Sequence, residues 1–201
     1  MQNGFSKSGF RGSRPGSRPA ANPLARDRVR GLRTVFLVGF MGAGKTTVGR
    51  ALGRRLGVPF EDLDDRIQQR EGKTIEQIFR ESGEADFRKA EAAALRELLE
   101  EIGSSFRVVA LGGGAFVQPG NAALIGEADV HSVFLDAPVE ELLRRCQEEQ
   151  KQRPLQRDPE QFRELYEKRR QSYMRADVRV ETKGKEVDTV AAEVACSLGL
   201  E

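Results

Sequence analysis

The chain has 201 residues, which is enough for one α/β domain with a single hydrophobic core. Charged residues make up 32% of it and no run approaches 18 apolar residues, so the composition is typical of a soluble protein and predicts no membrane-spanning helix. There are two cysteines, far apart, and one histidine, which argues against a disulfide framework, a histidine-based metal site and Ser-His-Asp chemistry.

The N-terminal part of the chain differs in composition from the rest. Residues 1–33 hold eight Lys and Arg against one Asp, a net charge of +7, so the other 168 residues carry −5 of the total of +2. Residues 1–31 are rich in Gly, Ser, Arg and Pro and poor in large apolar side chains, and we expect a disordered basic arm there. A solvated extension is the favoured interpretation; binding of nucleic acid or another polyanion, and an organellar transit peptide, are the alternatives.

Strands alternate with helices in residues 32–201, which we interpret as one domain. The alternation predicts a three-layer α/β/α sandwich whose parallel sheet is covered on both faces. Apolar or alternating runs predict strands at 34–38, within 58–64, and at 107–111, 130–135 and 178–182. Apolar spacings of three and four residues predict eight helices. Four are bounded at about 65–70, 75–82, 84–102 and 187–198, and one short helix follows Gly120 and Asn121. The other three are marked by their apolar stripes: one through Val48, Leu52 and Leu56 that ends near Gly57, one from Val139 to Cys146, and one through Phe162, Leu165 and Tyr166 that continues to about Tyr173.

The stretch from Gly39 to Thr46 fits the phosphate-binding pattern G-x-x-x-x-G-K-[ST] between a predicted strand and a predicted helix. Its glycines let backbone N–H groups curl around a phosphate, and the following helix points its positive end at the same anion. We therefore expect nucleoside triphosphate and Mg²⁺ to bind, with Lys45 reaching the β- and γ-phosphates and the Thr46 hydroxyl reaching the ion. The phosphate contacts are assigned to Gly42, Ala43, Gly44, Lys45, Thr46 and Thr47.

Three other features could belong to a site. Gly112-Gly113-Gly114 follows a predicted strand, where α/β sheets bind ligands, although it could be only a flexible turn. Glu91 lies on the apolar stripe of a predicted helix and Arg88 can reach it, either as a surface ion pair or as a pair that holds Arg88 in a fixed pose. The polar segment 147–158 is either a solvated linker or a mobile, arginine-bearing lid.

The size and motifs favour a small-molecule kinase over other P-loop proteins. The chain has no N-K-x-D base-reading motif, which argues against a GTPase, and a motor of this size would be unusually small. At this point several stretches together resemble the shikimate kinase family, in that family's order and near its spacing, over about residues 33–200. They are Gly39 to Arg50, Asp62-Leu63-Asp64, Gly83-Glu84, Phe87-Arg88-Lys89-Ala90-Glu91, Gly112-Gly113-Gly114-Ala115, Arg153-Pro154-Leu155, and Arg169 with Tyr173.

The resemblance implies a fold like that of P-loop nucleoside monophosphate kinases and an activity to match. The family phosphorylates the 3-hydroxyl of shikimate with ATP and Mg²⁺, in the pathway to chorismate and the aromatic amino acids. Asp64 resembles the carboxylate that hydrogen-bonds this hydroxyl and takes its proton, and Asp62 the one that holds Mg²⁺ beside Thr46. Lys45 and Arg153, the lid arginine that meets the γ-phosphate, complete the implied catalytic set.

The same resemblance implies the substrate-binding residues. Arg88 and Arg169 resemble the pair that clamps the substrate carboxylate, and Glu91 reads as the partner that orients Arg88. The glycines Gly112, Gly113 and Gly114 resemble the wall against the substrate ring, and Arg145 the arginine that stacks on adenine. We expect a cytoplasmic monomer that binds shikimate and ATP, without a membrane or nucleic-acid partner.

Three rival functions stay open from the sequence. One is another small-molecule kinase of the same fold, such as a gluconate kinase, against which the glycine triplet and the paired arginines argue. A second is a catalytically silent relative that senses a ligand, although its intact set of site residues would then serve no purpose. The third is a nucleic-acid binder that uses the basic arm, although no stacking aromatic residues accompany its arginines.

Overall fold

The computed structural model describes residues 34–102, 106–150 and 158–200. Its five strands are β1 (Thr34–Val38), β2 (Phe60–Asp62), β3 (Val108–Ala110), β4 (Val130–Asp136) and β5 (Val178–Glu181). Its helices are α1 (Lys45–Leu56), α2 (Leu63–Glu71), α3 (Ile75–Ile102), α4 (Pro119–Glu127), α5 (Val139–Gln150), α6 (Pro159–Tyr173) and α7 (Val187–Ser197). In the described part of the chain no helix is long and apolar enough to cross a membrane.

The sheet places the candidate site residues at one edge. The strand order is β2-β3-β1-β4-β5, and every pairing is parallel. The carboxyl ends of all strands therefore face the same way, and ligands of open α/β sheets bind outside those ends. Gly39 follows β1, Asp62 ends β2, and Leu111 and the glycine triplet follow β3, so three separate stretches converge on this edge.

Helices complete the core and confirm the predicted α/β architecture. All five residues of the central strand β1 are buried. The small residues Gly49 and Gly53 let α1 pack closely, since a Cβ on Gly49 would overlap the ring of Phe60. At the start of α3, Thr74 and Gln77 form the expected reciprocal cap, with the Gln77 side chain accepting from the Thr74 N–H and the Thr74 hydroxyl accepting from the Gln77 N–H. Gly83, with φ of 79°, interrupts the helical backbone where the break was predicted.

Two predicted helix starts were wrong. Helix α2 begins at Leu63 rather than near residue 65, because the Asp62 side chain accepts the N–H of Asp64 and caps the helix there. Helix α4 begins at Pro119 and contains Gly120 and Asn121 instead of following them, since proline is well suited to the first helical position. A 3₁₀ turn at Ala115–Val117 was not predicted.

The expected lid, residues 147–158, is partly regular structure. Helix α5 continues to Gln150, and ion pairs from Arg144 to Glu141 and to Glu148 support this polar stretch at spacings of three and four residues. Asp158 caps α6 through a hydrogen bond that its side chain accepts from the N–H of Glu160. Residues 151–157, with Arg153, lie outside the described residues, as does the expected basic arm, 1–31, with its boundary at residue 32.

Candidate active site

The loop between β1 and α1 has the backbone of a phosphate-binding loop. Gly42 and Gly44 take φ values of 76° and 84°, which side chains other than glycine rarely adopt. The Lys45 ammonium donates to the carbonyl oxygens of Gly39, at 2.9 Å, and Phe40, at 3.0 Å. Burial lowers the pKa of Lys45 to about 8, against the opposing effect of the Asp64 and Asp62 carboxylates. The half-buried Lys45 ammonium is therefore held by two carbonyl oxygens of the loop itself.

Thr46 and Asp62 bring two oxygen ligands together beside this loop. The Thr46 hydroxyl donates to Oδ2 of Asp62 at 2.7 Å, across 16 residues of sequence. A hydroxyl and a carboxylate are hard donors that suit Mg²⁺, which keeps several waters and takes other ligands from phosphates. The residues present thus fit Mg²⁺.

A cleft of about 530 Å³ extends from the phosphate loop toward β5 and α7. Its lining includes Gly42, Ala43, Gly44 and Thr47 of the loop, Arg145 of α5, and Thr182, Lys185, Val187 and Val190. The Arg145 guanidinium donates to Glu141 Oε1 at 2.9 Å and to the carbonyl oxygen of Thr182 at 3.2 Å. Arg145 is thus held at the wall of a cleft that is large enough for a nucleoside and opens beside the phosphate-binding backbone.

A larger cleft, of about 690 Å³, adjoins the other part of the loop. It is lined by the glycine triplet and by the other predicted site residues that the structure describes. These are Asp64, Arg88, Glu91, Gly112, Gly113, Gly114 and Arg169. Met41 of the phosphate loop also lines it, and a Cβ built on Gly113 would lie 3.7 Å from the carbonyl oxygen of Gly39. The cleft therefore begins where the phosphate loop ends.

Arg88 is held by two carboxylates on its own helix. Its Nη1 donates to both oxygens of Glu91, at 3.1 and 3.0 Å, as the spacing predicted. Its Nε and Nη2 donate to Oε1 of Glu84, at 3.3 and 3.0 Å. Glu91 is buried, and burial raises its pKa against the opposing effect of the Arg88 charge. The buried carboxylate fixes the pose of a guanidinium that faces the cleft.

Arg169 and Tyr173 converge on one carbonyl group of the glycine triplet. Nη1 of Arg169 donates to the oxygen of Gly113 at 3.3 Å, and the hydroxyl of Tyr173 donates to the same oxygen. Tyr173 is fully buried, and burial raises its pKa to about 12, so the hydroxyl stays a donor at neutral pH. These contacts hold α6, which carries Arg169, against the glycine triplet after β3.

Asp64 lies in the first turn of α2 and lines the larger cleft. Its pKa is raised, first by burial and then by the neighbouring Asp62 carboxylate, while Lys45 opposes the shift. A Cβ on Gly112 would come within 2.6 Å of Oδ1 of Asp64, so only glycine fits behind this carboxylate. A carboxylate with a raised pKa beside a phosphate loop can accept a proton from a hydroxyl group.

Two residues that hold side chains or backbone at the larger cleft, Glu84 and Tyr173, had been given no role from the sequence. Glu84 binds Arg88, and its position four residues earlier on the helix was the available signal. Tyr173 was noted only as part of a motif, and its contact with Gly113, 60 residues away, depends on the folded chain.

Together the parallel sheet, the phosphate loop and the adjoining cleft with its two arginines define a P-loop kinase that acts on a small molecule. A model of the family described as "SKI: Shikimate kinase" matches residues 41–198. The chain therefore belongs to the shikimate kinase family.

Relatives with sequence similarity over most of their length agree with this assignment. A shikimate kinase of Geobacter sulfurreducens is 45% identical, over 81% of this chain and 89% of its own. One of Persephonella marina is 38% identical, over 81% of this chain and 97% of its own. The solved shikimate kinase from Acinetobacter baumannii in complex with shikimate has a TM-score of 0.77 and 36% identity, and the match covers 87% of this chain and 97% of that one.

Proposed function

We propose that this protein transfers the γ-phosphoryl group of ATP to the 3-hydroxyl of shikimate and so forms shikimate 3-phosphate. The observation that carries the proposal is the larger cleft, where a carboxylate, two arginines and a glycine wall lie next to the phosphate loop. A relative with 36% identity was solved with shikimate bound. Membership in the shikimate kinase family disfavours a gluconate kinase.

In this proposal the shikimate carboxylate binds Arg88 and Arg169. A planar guanidinium suits a planar carboxylate, and Arg88 needs little reorganisation because buried Glu91 already holds it. The glycine triplet lets the substrate ring approach the backbone, and a Cβ on Gly114 would come within 2.5 Å of Nη1 of Arg88. The acid end of the substrate is thereby oriented so that its hydroxyl groups point toward Asp64.

Asp64 is the proposed general base. It hydrogen-bonds the 3-hydroxyl and takes the proton as the oxygen attacks the γ-phosphorus atom. Its raised pKa makes the carboxylate a better proton acceptor than an exposed one, and the Lys45 charge opposes that rise. Lys45 leaves its carbonyl partners for the β- and γ-phosphate oxygens, where its charge stabilises the transferring group.

The nucleotide occupies the smaller cleft in this proposal. Backbone N–H groups of Gly42, Ala43 and Gly44 and the start of α1 hold the phosphates, with Thr47 beside them and Arg145 stacking on adenine. Thr46 and Asp62 would hold Mg²⁺, which when bound neutralises charge on the phosphate oxygens. Arg153 is proposed to meet the γ-phosphate from the lid, on the resemblance alone.

We further propose that the enzyme is a monomer of the cytoplasm, where ATP is available and cysteine thiols stay reduced. We also propose a domain boundary near residue 32, with a solvated basic arm before it. Deleting residues 1–31 tests both: phosphoryl transfer should survive, and its loss would refute this account of the arm.

A coupled assay of ADP release tests the activity. Purified protein with MgATP is given shikimate, and in parallel quinate and gluconate as comparison acids. ADP release that depends on shikimate supports the proposal. ATP binding without ADP release on any of the three acids would refute it and favour a ligand sensor.

A further inference from the structure

Arg88 has two carboxylate partners that differ in exposure. Glu91 is 1% exposed and receives only Nη1, whereas Glu84 is 68% exposed and receives Nε and Nη2. The buried partner has the properties of a fixed support. The exposed partner is held by one ion pair at the rim of the cleft, and such pairs contribute little to stability.

The surroundings of the guanidinium restrict where a substrate carboxylate can bind. Glu91 takes Nη1, and the backbone of Gly114 lies so near Nη1 and Nη2 that no side chain fits between them. The ring of Phe87 lies below the group, with its centroid 5.0 Å from Cζ. The edge formed by Nε and Nη2 suits two parallel hydrogen bonds to a carboxylate, and Glu84 binds this edge.

We propose that Glu84 competes with the substrate carboxylate for this edge of Arg88 and thereby weakens the binding of shikimate. The inference rests on the proposed function, and it adds a residue that tunes affinity at the acid end of the cleft. Shikimate and its phosphorylated product carry the same carboxylate, so the competition weakens both and favours product release.

The local backbone allows Glu84 to leave. Gly83, directly before it, has φ of 79° and interrupts the helix, and a Cβ at Gly83 would meet no atom within 4 Å. Glu84 thus starts a helical segment at an open surface, and its side chain can turn to solvent when a carboxylate arrives. Arg88 keeps its pose meanwhile, because Glu91 holds it.

Glu84→Gln removes the competing charge and keeps the size of the side chain. We expect the dissociation constant of shikimate, measured by calorimetry without nucleotide, to fall by about two- to fivefold, because a partly exposed ion pair is weak. KM for shikimate should also fall, whereas KM for ATP should stay unchanged. Glu84→Asp, which restores the charge, should return shikimate affinity toward that of the unchanged protein.

Glu81→Gln is the matched control. Glu81 is an exposed carboxylate three residues earlier, before the break at Gly83. It pairs with Lys73 and Arg80 and does not line the cleft, so it tests the general effect of one negative charge. Its removal should leave shikimate affinity unchanged.

The outcomes separate this inference from the proposed function. An unchanged or weaker affinity for shikimate in Glu84→Gln, in a preparation whose unaltered form turns shikimate over, would overturn the competition and leave the function intact. An equal gain in Glu81→Gln would also overturn it. If the unaltered protein neither binds nor phosphorylates shikimate, the proposed function itself fails.

Discussion

The two clefts that meet at the phosphate loop are built by different means. The nucleotide side relies on backbone: glycines with positive φ at 42 and 44, and a lysine that donates to two loop carbonyls. The acid side relies on charged side chains, each held by a partner, such as Arg88 by Glu91 and Arg169 by the Gly113 carbonyl. Backbone changes should therefore damage ATP binding, and changes in charge geometry should damage shikimate binding.

Asp64 belongs to neither side alone, because it lines the acid cleft and interacts with Lys45 of the phosphate loop. Asp64→Asn should lower kcat by about 10² or more, the range for lost general-base help, with smaller effects on either KM. Steady-state kinetics with both substrates would measure this. Asp65→Asn, at the exposed next position, is the control and should be nearly silent. A fall of less than about threefold in Asp64→Asn would contradict the proposed role.

On the nucleotide side, one added methyl group at Gly42 should disrupt ATP binding. A Cβ on Gly42 would lie 2.8 Å from the carbonyl oxygen of Leu142 and 2.9 Å from Sγ of Cys146, so the loop must shift. Strain at positive φ adds to this, and we expect Gly42→Ala to raise KM for ATP by about tenfold or more. The affinity for shikimate without nucleotide should barely change.

Gly57→Ala is the control for Gly42→Ala, because it introduces backbone strain at positive φ without displacing the phosphate loop. Gly57 also has positive φ, at 67°, but a Cβ there would meet nothing within 4 Å. The Gly57→Ala protein should lose about 1–2 kcal/mol of unfolding free energy and keep its KM for ATP. Equal increases in KM for ATP in both variants would refute the loop-displacement explanation.

The difference between the clefts also explains which features could be predicted from the sequence. The phosphate loop was predictable because its chemistry lies in consecutive residues, and the strands lay within two residues of their predicted ends because they form short buried runs. The Arg88–Glu91 pair was predictable because helical spacing brings the two together. The starts of α2 and α4 were missed because a capping carboxylate and a proline, rather than apolar spacing, set them.

Contacts between residues far apart in the sequence could not be predicted. Arg145 meets Thr182 across 37 residues, and Tyr173 meets Gly113 across 60, which no local pattern encodes. The helical extension to Gln150 was missed because a wholly polar run was interpreted as mobile, whereas charge pairs along one turn stabilise it.

On the acid side, Arg88→Lys keeps the charge and removes the planar fork. Charge-assisted hydrogen bonds contribute about 1.5–3 kcal/mol, so KM for shikimate should rise by about tenfold or more. KM for ATP should stay within about twofold, since Arg88 does not line the nucleotide cleft. Arg96→Lys, exposed on the same helix, is the control. An unchanged KM for shikimate in Arg88→Lys would refute the clamp.

The pH dependence of the kinetics should report on the titrating group of the nucleotide side, Lys45. Because burial lowers the pKa of Lys45 to about 8, the free protein loses this charge as the pH rises through that value. We expect kcat/KM for ATP to fall by about threefold from about pH 7.5 to about pH 8.5. Bound phosphates favour the protonated lysine, so kcat at saturating ATP should not show this fall. A parallel fall in both quantities would assign the titration to another group.

Tyr173→Phe should give the smallest effect and would sharpen the account of the acid side. It removes one of two donors to the Gly113 carbonyl, and Arg169 remains. We expect the unfolding free energy to fall by about 1 kcal/mol and KM for shikimate to rise by about two- to threefold, because the glycine wall is held less firmly.

Tyr166→Phe is the matched comparison for Tyr173→Phe. Its hydroxyl donates to Asp136 and to the carbonyl of Ala137, outside both clefts, while its ring packs against Phe40 and is kept by phenylalanine. Denaturant titration should show a similar loss of stability, with KM for shikimate unchanged. If the two variants lose stability equally and neither changes this KM, the Tyr173 hydroxyl supports only the fold, and the acid side depends on its arginines alone.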